Sequence, residues 1–247
     1  MPEQGKWHNL QKVGAILSLV MIGILFAVQF RSLMEPRMDF YNELWAPAHL
    51  LVNGQSPYDT SSLGTNLPPA WFPMAIGFFF PLGWLSEDTA LKTWFVLNVI
   101  ELCAILYLSQ GSRRSLVNTV ILGMLFFFFP PTLNHFYLGQ ISISVTFFLL
   151  LAFQLTLKER HWLSAFFFAL ALSKPHLAML AGLGMSYHYY RNGGLRGMLA
   201  FWGRTLILSL GLCIPLFIAY PDWITDAIRS STQNPIWSYP SLFVLFR

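Results

Sequence analysis

Uncharged apolar runs separated by short polar turns repeat along the whole chain, with no strand-like alternation between them. Val13–Phe30 is an 18-residue run without charge that follows Lys6 and Lys12. Further runs cover Trp71–Leu85, Thr93–Leu108, Leu116–Pro131, Ile141–Leu157, Trp162–Leu172, Leu177–Tyr190 and Met198–Tyr220, and Ser241–Phe246 begins another before the chain stops. A bilayer core of roughly 30 Å takes about 20 helical residues to cross, and isolated spans in lipid are helical because every backbone polar group must be paired internally. The pattern predicts an all-α, polytopic transmembrane bundle in one domain over residues 1–247. Trp71–Leu85 is set apart, because Pro73 and Pro81 inside fifteen residues suit a broken helix that does not span.

The treatment of Trp71–Leu85 fixes the orientation. If it is re-entrant or interfacial, about seven spans remain. Lys6, Lys12, Arg113, Arg114, Lys158, Arg160, Arg191 and Arg196 then share the cytoplasmic side, against Arg31, Arg37, Lys92, Lys174 and Arg229 outside. Eight against five obeys the positive-inside rule, whereas a spanning Trp71–Leu85 would put three of the basic pairs outside. The N-terminus is therefore expected in the cytoplasm, and 31–92 forms an external loop. Within that loop Tyr41, Leu44, Trp45, Ala48, Leu51 and Val52 recur at helical spacing, predicting interfacial helices that break, or start afresh near Ala46, because of Pro47. The same topology gathers Asp39, Asp59, Asn134–Gln140, Ser173–His176 and Pro221–Pro240 on the external face.

Composition agrees. Of 247 residues, 55% are hydrophobic and 11% charged, less than half the charge of an ordinary soluble domain. The net charge of +4 is scattered between apolar runs, so no nucleic-acid-binding stripe exists. Cys103 and Cys213 each sit inside an apolar run and read as small buried hydrophobes. No His, Cys or Asp spacing suits a metal, and no Gly-rich phosphate loop or nucleophile elbow occurs; neither a metal nor a cofactor is expected.

Ionisable groups beside a bilayer are the places to look for chemistry. Asp39, at the head of a polar and aromatic loop, reads either as a cap or as a general base for an acceptor hydroxyl. Asp59 in Pro57-Tyr58-Asp59 reads first as a turn or cap acid, with Tyr41 and Tyr58 as aromatic neighbours, and Glu43 and Glu101 are weaker candidates. Lys174 in Ser173-Lys174-Pro175-His176 lies between an eleven- and a fourteen-residue run, both short for a span. It is either a lysine snorkelling from a helix end or a point charge for a phosphate, with His176 beside it. His135 and Gln140 belong to an ordinary polar turn or hydrogen-bond a sugar or phosphate.

The order Asp39-Phe40…Ala46…Leu50-Leu51-x-x-Gly54-x-x-Pro57-Tyr58-Asp59, then Leu67-Pro68-Pro69…Pro81-Leu82, then Gly139-Gln140, then Lys174-Pro175, resembles glycosyltransferase family 87. The resemblance runs from about Asp39 to Tyr190. It implies the fold of the GT-C superfamily and a polyprenol-phosphate-mannose-dependent mannosyltransferase of the cell membrane, with an external catalytic Asp, here Asp39. Lys174, helped by His176, is then the candidate partner of the donor phosphate, and Tyr41, Tyr58, Asp59, His135 and Gln140 are candidate substrate contacts. The implied partners are a polyprenol-phosphate-linked sugar, a lipid or glycan acceptor and membrane lipid. Leu67 stands where the family commonly has an aromatic residue. The chain also stops where members carry further helices, which reads as a truncation. The rival expectation is a non-catalytic polytopic protein, either a lipid or sugar transporter or flippase, or an inert fragment. A transporter would show internal repeats with paired broken helices, and no such repeat is seen between the two halves.

Overall fold

Serine caps and first-turn prolines set most helix starts. Ser86 Oγ accepts from Thr89 N (3.4 Å) and Ser115 Oγ from Asn118 N (3.1 Å), while Pro73, Pro130 and Pro175 occupy first turns where no N–H partner is needed. The computed structural model describes residues 2–30, 38–64, 69, 71–111 and 115–233. Arg31, Arg37, Leu67, Pro68, Arg113, Arg114 and the run Ser241–Phe246 lie outside the described residues. All regular structure among the described residues is helical. α1 is Pro2–Gln29. Met38–Phe40, the π-helical turn Tyr41–Trp45 and Ala46–Val52 follow one another without a gap and together form α2. α3 is Pro73–Phe79, extended by a 3₁₀ turn over Phe80–Trp84. Then come α4 (Glu87–Ser109), α5 (Leu116–Phe127), α6 (Pro130–Leu138), α7 (Ser142–Leu157), α8 (His161–Ala171), α9 (Pro175–Leu212), α10 (Ile214–Ala219) and α11 (Trp223–Gln233).

Polarity is arranged as in a membrane protein. Leu17, Val28, Leu180 and Ile218 are more than half exposed, whereas Asn98, His135, Ser144, Thr156 and Ser164 are buried. Apolar stripes outside and paired polar groups inside suit lipid as the solvent. An aromatic knot of Phe26, Phe95, Phe127 and Phe136 ties α1, α4, α5 and α6, with Phe26 and Phe136 rings 4.9 Å apart. A larger core joins α2, α3, α4, α7, α8 and α9.

α9 is not one rod. Its backbone leaves helical geometry at Gly193 and Gly194, and Gly194 takes φ 59, ψ −159, a region open in practice to glycine alone. Trp202 Nε1 donates to Ser186 Oγ at 2.9 Å, and the Tyr189 and Phe201 rings stack at 4.7 Å. Residues sixteen apart in a straight helix would be about 24 Å apart. The chain therefore doubles back into antiparallel limbs, 175–192 and 195–212, which are the two apolar runs read from the sequence.

By length and apolarity α1, α4 and the folded-back segment Pro175–Ala219 (α9 with α10) qualify as membrane-crossing among the described residues, and α5 with α6, bent by 54°, forms a further broken span or a re-entrant loop. α7 and α8, expected to span, have sixteen and eleven residues. Eleven residues rise ~16 Å, about half of a bilayer core, so α8 alone is too short to cross one. α3 with its 3₁₀ extension, Pro73–Trp84, is likewise too short to cross, as its prolines predict.

α2 is covered by protein. Phe40, Leu44, Ala46, Ala48 and Leu51 are fully buried, and Trp45 Nε1 donates to Leu85 O at 3.1 Å. Pro47 falls in the first turn of Ala46–Val52, and Ala46 N bonds Tyr41 O in the wider π register, so the expected break becomes a change of helix type.

Candidate active site

A glycine brings the site together. Gly139 ends α6 in the left-handed region (φ 70, ψ 37), and its N–H and that of Gln140 both bond His135 O. A Cβ at Gly139 would stand 2.5 Å from Phe40 Cβ and 3.1 Å from Phe40 N, so only glycine seats this turn on the start of α2. Asp39 immediately precedes Phe40, and the Gln140 side chain hydrogen-bonds its carboxyl group. Ser142, at the first turn of α7, donates a long bond to Gln140 Oε1 (3.5 Å) and accepts from Lys174 Nζ (3.3 Å). Asp39, Gln140, Ser142 and Lys174 thus form one chain of contacts drawn from α2, the α6–α7 turn, α7 and the α8–α9 turn.

Both charged ends of that chain are half-buried, and burial decides their titration. It pushes the Asp39 carboxyl above the usual carboxylate range, against the opposing pull of the Gln140 hydrogen bond and the Lys174 charge. It also pushes the Lys174 ammonium below its usual range, against the nearby Asp39 and Glu43 charges. Desolvation outweighs attraction on both sides, so this is not a stabilising ion pair. The exposed pair Lys92–Asp88 (2.6 Å) shows the opposite arrangement, with both side chains more than half exposed. Shifted, partly desolvated groups gathered in one place are a mark of chemistry.

The other predicted residues divide. Tyr41 lies two residues from Asp39, but its hydroxyl donates to Leu63 O (2.9 Å), and burial with the Glu87 charge raises its pKa. His135 faces inward: Nε2 pairs with Asn98 Oδ1 at 2.9 Å, and the ring lines a small cavity with Trp94, Phe95 and Phe136 behind the Gly139 turn. His176 is exposed on the first turn of α9, two residues from Lys174. Asp59 caps the turn Thr60–Leu63, accepting from Ser61 N (3.2 Å) and Ser61 Oγ (2.6 Å). Tyr58 is buried in a separate apolar cluster with Cys213 and Trp223, and burial raises its pKa. Tyr58 and Asp59 lie past the far end of α2, a rod about 20 Å long measured from Asp39.

Two residues join the cluster without having been singled out strongly. Ser142 links Gln140 to Lys174, its one signal being a hydroxyl directly after the Gly139 turn. Glu43 accepts from Trp71 N (3.2 Å), tying α2 to the start of α3, and its charge reaches Lys174. Among the described residues no group of three or more His, Cys, Asp or Glu side chains is placed to hold a metal ion. A carboxylate whose pKa is raised by burial, opposite an ammonium, can take a proton from a hydroxyl and steady an anion.

The family comparison covers part of this cluster. The profile of glycosyltransferase family 87 matches residues 72–245. His135, Gln140, Ser142, Lys174 and His176 fall inside that match, whereas Asp39, Tyr41, Tyr58 and Asp59 precede it. No curated protein and no solved structure matches the chain. The matched residues make up well over half of the sequence and carry most of the helical bundle, so this membrane protein belongs to glycosyltransferase family 87.

Proposed function

We propose that the protein transfers a hexose, mannose, from a polyprenol-phosphate donor to a hydroxyl of a lipid or glycan acceptor, on the external face of the cell membrane and with inversion. The observation that carries this reading is the desolvated Asp39–Gln140–Ser142–Lys174 chain in a member of a glycosyltransferase family. Asp39 takes the proton of the acceptor hydroxyl as its oxygen attacks the anomeric carbon. The bond from that carbon to the phosphate oxygen breaks, and its electron pair leaves with the lipid phosphate. Lys174 stabilises the charge developing there, and the proton stays on Asp39. Glycosidases need a second carboxyl group to protonate an alcohol leaving group. A phosphate departs as a stabilised anion, so one base suffices. Single displacement inverts the anomeric centre.

Three features support the lipid donor and the external face. The apolar outer surfaces of α1 and α9 let a polyprenyl chain approach from the side. Lys174 follows the short α8 in a turn between two helices, a position open to a phosphate carried on a lipid. Lys158, Arg160, Arg191 and Arg196 occupy the opposite end of the bundle, the end the positive-inside rule assigns to the cytoplasm.

The test is sugar transfer by membranes supplied with radiolabelled polyprenol-phosphate-mannose and, in parallel, polyprenol-phosphate-glucose. Wild type should label an acceptor from the mannosyl donor and Asp39→Asn should not, although it inserts normally. Transfer by Asp39→Asn would overturn the role of Asp39, and preference for the glucosyl donor would overturn the sugar assignment. Impermeant thiol reagents should label Ser61→Cys from outside and fail to reach Lys158→Cys; the reverse would move the site to the cytoplasm.

A further inference from the structure

The end of the bundle remote from Asp39 collects charge that the protein leaves unmatched. Lys158, Arg160, Arg191 and Arg196 are all exposed there, with Glu159 as the acid between them. Among the described residues none of the four enters an ion pair. Their spacing is held from below: Thr156 Oγ1 and Ser164 Oγ lie 2.7 Å apart, and His161 Nδ1 meets Tyr189 OH at 3.2 Å.

A fifth cation lies next to this patch through Trp162, two residues after Arg160. Arg204 sits on the returning limb of α9, half-buried in an apolar stretch, with its guanidinium carbon 5.7 Å from the centre of the Trp162 ring. It too joins no ion pair among the described residues. A guanidinium carries five N–H donors in a planar fork. An aromatic face attracts the charge but leaves the in-plane donors free. Phosphate oxygens match that fork two at a time. Trp162, directly under Arg204, is itself exposed, as are Leu163 beside it and Leu199 on the same limb of α9, so the surroundings offer apolar surface. A ligand suited to both parts carries a phosphate on an acyl chain, and the surplus of cations favours one with net negative charge.

We infer that Arg204, the Trp162 face and the neighbouring basic side chains bind the headgroup phosphate of an anionic phospholipid. This site is separate from the Asp39 cluster and does not depend on the reaction proposed for it.

The test uses the full-length protein in nanodiscs made of phosphatidylcholine and phosphatidylglycerol in equal amounts, with retained lipids read by native mass spectrometry. Phosphatidylglycerol should be retained in preference to phosphatidylcholine, and Arg204→Gln should lower its occupancy about fivefold, as removal of one charge near a membrane surface predicts. Equal retention of the two lipids, or unchanged retention in Arg204→Gln, would overturn the site. Loss of the preference on adding millimolar inorganic phosphate would also overturn it, since a soluble anion would then be the ligand. If Arg204→Gln does not fold, Trp162→Ala replaces it: reduced phosphatidylglycerol occupancy supports the site and wild-type occupancy removes it.

Discussion

The two ends of the helical bundle handle charge in opposite ways. At one end Asp39 and Lys174 are half-buried, coupled through Gln140 and Ser142, and shifted so that both charged forms are disfavoured. At the other, Lys158, Arg160, Arg191 and Arg196 stand exposed over a buried network of neutral hydroxyls. On the proposed function, charges that cost stability are kept where a reaction can use them, while the exposed charges of the other end are left in water or at headgroups. On that proposal the difference separates a reactive end from a structural one more sharply than a count of polar residues would.

The harshest way to break the contrast is to remove the base. Asp39→Asn should reduce transfer by about 10³-fold, within the range of a lost general base. Its effect on folding should have the opposite sign. A carboxyl whose folded pKa is raised holds its proton more tightly in the folded protein than in the unfolded chain. Stability is thus lost as pH rises from the unfolded value through the folded one, and the Asn variant avoids that loss. Near neutral pH it should melt no lower than wild type in a detergent thermal-shift assay. A large fall in melting temperature would make Asp39 a structural residue.

Lys174→Met comes next, with an expected loss of about 10²-fold, the scale of a missing electrostatic donor in the transition state. Donor use should suffer more than acceptor use. The pH profile sharpens the test. Wild type should lose activity at low pH as Asp39 takes a proton, and at high pH as Lys174, with its lowered pKa, gives one up. In Lys174→Met the alkaline limb should vanish, and the acid limb should move to higher pH because a charge that lowers the Asp39 pKa is gone. Gln140→Leu should cost less activity and shift only the acid limb, again upward, and further than Lys174→Met does, because its hydrogen bond is the larger of the two effects opposing burial. Movement of the limb to lower pH in either variant would contradict the coupling.

Much of the architecture could be read from the residues, for identifiable reasons. Pro73 and Pro81 mark a segment too short to cross, and the gap between the runs 177–190 and 198–220 marks the α9 reversal at Gly193 and Gly194, because prolines restrict and glycines free the backbone wherever they occur. Asp39, Gln140 and Lys174 stood out because polar groups beside lipid are costly, and the fold does bring these three together. The surroundings of α2 were not legible. Its spacing shows an apolar face but not whether lipid or protein covers it, and protein does, at Phe40, Leu44 and Leu51. Ser142 and Glu43 were hard to find for a related reason. A hydroxyl at a helix start and an acid in a loop look like ordinary caps until a long-range contact, to Lys174 or Trp71 N, gives them another partner. Asp59 is the cap its Pro57-Tyr58-Asp59 setting suggests, and adjacency in a motif did not bring it or Tyr58 to Asp39.

The smallest expected effect lies at the structural end, where it serves as the control for all the others. Thr156 Oγ1 and Ser164 Oγ are buried 2.7 Å apart, and Thr156 also reaches the Ala152 carbonyl at 3.0 Å. Thr156→Val keeps the shape and strands the Ser164 hydroxyl, at a cost of about 1–3 kcal/mol for a buried group left unpaired. Adding Ser164→Ala removes the stranded partner as well, so the double variant should recover part of the stability lost in the single one. Neither should change the rate of sugar transfer per folded molecule or the position of either pH limb, since no charge near Asp39 is altered. A fall in that rate matching the loss from Lys174→Met would mean that the two ends act as one unit, and the separation between reactive and structural charge would fail.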